Sequence, residues 1–250
     1  MTDDLLKSGT SHVLKPEAVQ AVAGLAGIVF AERDRESVLG TVAALAVRAG
    51  PSGSLGSWLQ LRQPWGPAAA WTDEAAHRAG VVEADLDEGP CLSAWREQSV
   101  VRFPGAGAAG SRWPRWRAKV GATGLGSVLA TPLRAGDVTI GAVAVYGPDP
   151  STIDQADMAG AELFGSIAGA ILANLEAYEG AKRLSDQLSE ALATRDVIGT
   201  AKGILMEREA VDEDAAFSLL RSASQRANRK LREVAETLVE KESSRGHTKS

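Results

Sequence analysis

The sequence predicts an α+β domain, an antiparallel sheet with helices, joined by a long helix to an all-α three-helix bundle. Three observations lead there. Residues 126–133 and 138–146 are strand candidates separated by Arg134, Ala135, Gly136 and Asp137, a turn-forming tetrad that suits an antiparallel hairpin. From about residue 153 toward 209, Leu163, Ile167, Ala170, Ile171 and Leu175, then Leu184, Leu188 and Leu192, keep near-heptad spacing. Three apolar stripes then follow one another closely enough to bury each other: Val197, Ile198, Ala201, Ile204 and Leu205; Ala216, Phe217, Leu219, Leu220 and Ala223; and Leu231, Val234, Ala235, Leu238 and Val239.

In chain order, residues 16–30 and 37–49 repeat apolar positions every three or four residues, as in Val38, Val42, Leu45, Ala46 and Ala49. Pro16 suits a first helical turn and Gly50 with Pro51 a stop, so both read as helices. Residues 57–61, 68–72 and 99–103 are short, and the last run is β-branched; these read as strands. The hairpin comes next. The long helix opens after the breaker Pro148, Asp149, Pro150 and Ser151, with an interruption expected near Gly180. Its first half is expected to pack on its own sheet, whereas a dimeric coiled coil and intramolecular packing both satisfy the stripe from Leu184 to Leu192. Asp212 is a good N-cap for residues 213–227, whose spacing puts Phe217 in the core, and Asn228 ends that helix or caps the next.

A hydrophobic fraction of 44% with 24% charged residues is ordinary for a soluble globular chain. The first thirty residues interleave Asp3, Asp4, Lys7, His12 and Lys15 with apolar positions, and the apolar run at 138–145 falls far short of the roughly 18 residues that span a bilayer. The expectation is a cytoplasmic protein without membrane attachment. A single cysteine, Cys91, excludes an intramolecular disulfide and any multi-cysteine zinc site, and three histidines make no dense metal cluster. The net charge of -5 is uneven: residues 181–250 carry 13 Lys and Arg against 12 Asp and Glu, so acidity is concentrated upstream. A nucleic-acid surface would therefore be a local, salt-sensitive stripe on the C-terminal part.

Such a stripe is present in the pattern. Off the apolar stripes stand Arg195 and Lys202, then Arg221, Gln225 and Arg226, then Asn228, Arg229, Lys230 and Arg232, cations beside amides suited to phosphates and base edges. A solvated helix surface is the plain alternative. Gly199 and Gly203 add a signal, because glycine inside a helix costs roughly 1 kcal/mol relative to alanine, so a helix or a ligand is expected to approach that backbone closely.

The strings from Arg195 to Met206 (RDVIGTAKGILM), from Asp214 to Gln225 (DAAFSLLRSASQ) and from Asn228 to Ala235 (NRKLREVA) closely resemble the ANTAR domain, the RNA-binding output module of bacterial antiterminators. The resemblance implies binding to tandem short stem-loops in leader RNA, which keeps a terminator hairpin from forming. It places Arg195, Ala201, Lys202, Gly203, Met206, Arg221, Gln225, Asn228 and Lys230 on the RNA face. Phe217 is the only aromatic residue after Tyr178, so a stacking platform is not expected, and recognition is assigned to cations on phosphates and amides on base edges.

More loosely, residues 16–178 resemble a GAF domain, through their element order and the segment from Asp87 to Trp95 (DEGPCLSAW), similar to one in actinobacterial proteins that join a GAF domain to ANTAR. The resemblance implies a small-molecule sensor or a dimerisation module. Trp71, Cys91 and Trp95 are candidate pocket residues, with Trp58, Trp113 and Trp116 as further aromatics that pack in a core or line a pocket. Cys91 follows Pro90 at a helix start where a dipole favours thiolate, but a buried small hydrophobe is the favoured reading. Gly105 to Gly110 matches G-x-G-x-x-G formally, yet no suitable helix or acidic residue follows, so it reads as a loop. The acidic run Glu83, Asp85, Asp87 and Glu88 reads as a solvated loop rather than a metal site.

The resulting expectation is a tail (1–15), a GAF-like sensor (16–178), a connecting helix or coiled coil (179–195), an ANTAR RNA-binding domain (184–242) and a tail (243–250). It describes a homodimeric, non-enzymatic regulator with no required cofactor, whose input is an unidentified small molecule or protein. A DNA-binding regulator and a protein-interaction dimer with a ligand-free sensor are the competing readings.

Overall fold

The computed structural model describes residues 14–62, 67–103, 112–121, 124–148 and 153–247. The Gly105 to Gly110 loop lies outside the described residues. The chain divides into two compact units, Met1–Tyr178 and Glu179–Ser250.

The first unit is built on a five-stranded antiparallel sheet with spatial order β2-β1-β5-β4-β3. Its strands are β1 (Gly56–Leu61), β2 (Ala68–Trp71), β3 (Val101–Phe103), β4 (Ser127–Ala135) and β5 (Val138–Gly147). The hairpin between β4 and β5 is tighter than the tetrad suggested: Ala135 pairs with Val138, leaving only Gly136, at φ 61°, and Asp137 in the turn. Strand alternation then decides which residues face which layer. Val143 and Val145 of β5 pack with Leu59, Leu133 and the helices α1 (Pro16–Ala26) and α2 (Arg35–Ala49). Ala142, Ala144 and Tyr146 of the same strand face the opposite layer, α3 (Glu74–Leu86), α4 (Pro90–Glu97) and α5 (Pro114–Val120), where Trp58, Cys91, Trp113 and Trp116 are buried.

Helix α6 (Gln155–Glu209) begins with a reciprocal cap. Asp154 accepts the Asp157 N–H at 2.8 Å, and the buried Asp157 carboxylate accepts the Asp154 N–H at 3.0 Å while receiving the Lys15 ammonium at 2.7 Å. The next turns bury Ala161, Phe164, Ala168, Leu172 and Leu175, the i, i+3, i+7 progression of a helix lying on a core. Gly165 and Gly169 explain how closely it lies. A Cβ on Gly165 would sit 2.4 Å from the Pro132 carbonyl oxygen, and one on Gly169 2.2 Å from that of Arg134, so α6 rests on the backbone of β4. By length and composition α6 is the one helix among the described residues apolar enough to cross a membrane. Its core-facing apolar residues are those that cover the sheet.

No interruption occurs at Gly180: α6 is continuous over 55 residues. The expected break does not appear because the local cost of one glycine is small, and Glu179 and Arg183 form an i, i+4 pair across it.

The second unit contains the C-terminal part of α6, α7 (Glu213–Ala227) and α8 (Leu231–His247). Its fully buried residues are Ala201, Leu220, Ala235 and Ala216, with Val197, Ile198, Leu205, Val234 and Leu238 partly buried around them. Asp212 accepts the Ala215 N–H and starts α7; Asn228, at φ 50°, closes it in the left-handed conformation that asparagine tolerates. Helix α8 continues to His247, eight residues past Val239, the last apolar position of its stripe.

Candidate nucleic-acid interface and sensor core

Some cations of the second unit are ion-paired and others are not. Arg208 pairs with Glu242, Arg229 with Glu233, Arg232 with Glu236 and Glu190, and Lys202 with Glu213 at the start of α7. Arg195, Arg221, Arg226 and Lys230 are exposed and have no carboxylate partner among the described residues. On α6, Arg195, Asp196, Ile198, Gly199, Thr200 and Lys202 line an open groove. A Cβ added at Gly199 or Gly203 would meet nothing within 4 Å. No residue among those described makes the close approach expected at these glycines, so the backbone there lies open, with Arg195 and Lys202 nearby.

The first unit holds a cavity of about 400 Å³ between α5 and the sheet, walled by Phe103, Trp116, Val120, Leu125, Val128 and Tyr146. Arg117 also borders it and lies over the Phe103 ring at 4.9 Å. This is a mainly apolar pocket of a size suited to a small molecule.

A family model for the GAF domain matches residues 32–173, and one for the ANTAR domain matches residues 186–239. The chain is a GAF–ANTAR domain protein. Comparison with curated proteins finds no match. Among solved structures, the GAF unit is similar to a bacteriophytochrome from the photosynthetic bacterium R. palustris, at 12% identity and TM-score 0.52, covering 73% of this chain and 42% of that one. The GAF domain of a phosphoenolpyruvate-protein phosphotransferase from Coxiella burnetii aligns at 12% identity and TM-score 0.48, over 66% of this chain and 97% of that one. The cyanobacteriochrome TePixJ GAF domain aligns at 15% identity and TM-score 0.45, over 60% and 96%. At this identity the bacteriophytochrome supports the fold.

Within the ANTAR unit, Arg195, Gly203, Met206, Arg221, Gln225, Asn228 and Lys230 are exposed and Lys202 is half-buried. Ala201 is the correction: it is fully buried against Leu220 and Ala235 and belongs to the bundle core, because it lies one residue from the open face and a helix turns 100° per residue. Phe217 is the converse. Its spacing indicated the core, yet it is 41% exposed, since Ala216 and Leu220 alone fill the narrow seam that α7 presents to its neighbours.

The three candidate sensor residues do not come together. Trp71 is half exposed at the edge strand, stacked on His77 with ring centroids 4.1 Å apart. Trp95 donates its indole N–H to the Thr139 carbonyl and lies under the Arg62 guanidinium. Cys91 is buried, its Sγ 3.7 Å from the Trp58 carbonyl, and burial pushes its thiol well above the usual range, against a thiolate. None of the three lines the cavity by α5. Of the tryptophans, Trp116 does, its indole N–H held by the Ala79 carbonyl.

The acidic run is also not a solvated loop throughout. Glu83 is on α3 and fully buried, and its Oε1 accepts the Leu92 N–H at 2.5 Å, supplying the N-terminal cap that Gly89 cannot give α4. Burial raises its pKa to about 8 despite the backbone N–H groups of Leu92 and Cys91. Glu88 caps α5 through the Arg115 and Trp116 N–H groups. Gly89 was the available signal for Glu83: a Cβ there would strike the Glu83 side chain at 2.5 Å.

Proposed function

We propose that this protein is a signal-responsive, RNA-binding regulator of transcription antitermination, in which the ANTAR bundle binds stem-loop leader RNA under control of the GAF unit. The observation that carries the reading is the surface of the ANTAR match: Arg195, Arg221, Arg226 and Lys230 are exposed without a carboxylate partner among the described residues, and the α6 backbone is open at Gly199 and Gly203. Arg195, Arg221 and Lys230 supply phosphate contacts, Gln225 and Asn228 supply amides for base edges, and the open backbone at Gly199 and Gly203 permits close approach of a nucleotide.

The functional form is a homodimer in the cytoplasm. Leu184, Leu188 and Leu192 are 66%, 60% and 52% exposed on a stretch of α6 exposed on nearly every side, and a helix of that kind gains stability by burying its leucines against a copy of itself. A small apolar molecule held in the GAF cavity by α5 shifts the pairing of these helices and so the ability of two bundles to engage two stem-loops. The protein acts by binding and carries out no catalysis of its own.

The test is binding of the full chain to a two-stem-loop RNA and to duplex DNA at two salt concentrations, with Arg221→Ala and Lys202→Ala alongside. Preference for the hairpin RNA, with a smaller salt dependence in Arg221→Ala, is expected. Equal affinity for duplex DNA points to a DNA-binding regulator, and absent binding by a folded dimer points to a protein-interaction role.

A further inference from the structure

Residues 213, 217 and 221 are spaced by four along α7, so Glu213, Phe217 and Arg221 form one row on its surface, which Ser224 and Asn228 continue. Glu213, at one end, holds the Lys202 ammonium. Arg221, one turn beyond Phe217, is exposed and free of any carboxylate among the described residues. Phe217 is thus a half-exposed ring with the free Arg221 one turn on and Glu213, which holds Lys202, and Asp214 one turn back. It is also the only aromatic side chain in the ANTAR unit. The other large apolar residue exposed on α7, Leu219, lies about 200° around the helix, so the two do not form one apolar patch on α7.

A half-exposed aromatic face with a free arginine one turn on and a lysine one ion pair away fits an unpaired base better than it fits the apolar surface of a protein. Every base has a π-face and carries its phosphates to either side, whereas a protein interface needs contiguous apolar area around the ring. We propose that Phe217 is a stacking platform for one unpaired loop base of the bound RNA, with Arg221 and Lys202 on the flanking phosphates. The proposal rests on the RNA-binding reading and adds to it a base-selective contact that needs single-stranded loop geometry.

The experiment uses the full chain and a two-stem-loop RNA whose loop sequence has been selected from a randomised pool for tight binding. Affinity is measured for the wild type and for Phe217→Leu, which keeps an apolar side chain but removes the ring, against the intact loop and against loops carrying one abasic site at each position in turn. Phe217→Leu is expected to weaken binding to the intact loop roughly 10- to 100-fold. One abasic position should weaken wild-type binding by a similar factor, with no further loss when variant and abasic site are combined. The salt dependence should stay unchanged in Phe217→Leu and fall in Arg221→Ala. Wild-type affinity in Phe217→Leu, an equal loss at every abasic position, or a changed oligomeric state in sedimentation would overturn the stacking role, the last by placing Phe217 in a contact between copies. Failure of the wild type to select any hairpin loop sinks the RNA-binding reading itself, an outcome distinct from selection that ignores Phe217.

Discussion

Helix α6 carries two pairs of glycines at the same four-residue spacing, Gly165 with Gly169 and Gly199 with Gly203, and the two pairs stand in opposite surroundings. In the GAF unit a Cβ at either position would strike the backbone of β4. In the ANTAR unit a Cβ would meet nothing. The first pair is explained by folding: without it the helix could not lie on the sheet. The second pair costs helix stability, and no contact among the described residues requires it. The same residue in the same helix is thus required by packing at one pair and by no described contact at the other.

The largest contrast should come from the cores. Phe164→Ala in the GAF unit should cost about 3–5 kcal/mol, read by urea unfolding with tryptophan fluorescence, which reports this unit alone because all six tryptophans precede residue 117. An effect below about 1 kcal/mol would contradict the packing of α6 on the sheet.

Next in size is the buried carboxyl of Glu83. Its folded pKa, about 8, lies above the ordinary 4.5, so the folded state keeps a proton that the unfolded chain gives up. Its contribution is full below about pH 4.5 and is lost as pH rises toward 8. Glu83→Gln keeps an acceptor for the Leu92 N–H and should remove this part of the decline, leaving the variant the more stable protein at pH 8.5 by on the order of a few kcal/mol. A variant that tracks the wild type from pH 5 to 8.5 would show that the carboxyl titrates normally.

The glycine pairs give the sharpest test. Gly169→Ala should destabilise the GAF unit by roughly 1–3 kcal/mol, because the obstacle is backbone that cannot rotate away. Gly203→Ala should do the reverse and stabilise the ANTAR helices by about 0.5–1 kcal/mol, followed by circular dichroism, while weakening RNA binding. Stabilisation without loss of binding would break the comparison. The smallest effect is expected at Glu213→Gln, which releases Lys202 and should modestly strengthen RNA binding at low salt, with the difference shrinking as salt is raised.

Local signals made much of this protein legible before its structure. The β4–β5 hairpin, Asp212 as an N-cap and Asn228 as a helix end each depend on residues within a few positions of one another. The stripe of α6 was legible only in its period: Leu175 is buried as expected, but Leu163 and Ala170 are exposed, and Ala161, Phe164, Ala168 and Leu172 fill the core instead. The ANTAR and GAF resemblances were carried by contiguous strings for the same reason. The free cations Arg195, Arg221 and Lys230 were likewise visible as residues off an apolar stripe.

Tertiary structure decided the rest. Periodicity says which residues share a helix face but not how wide a strip of that face its neighbours cover. In a bundle whose seam is filled by Ala201, Ala216, Leu220 and Ala235, the strip is narrow enough to bury Ala201 and leave Phe217 half exposed. Long-range contacts also made Glu83 a buried cap rather than a solvated charge, put Trp116 on the wall of the cavity by α5, and left Trp71 lining a separate open cleft with α2. The sequence determined the elements and the chemistry they carry; burial, which depends on what packs against each face, determined which of those groups remain available to bind.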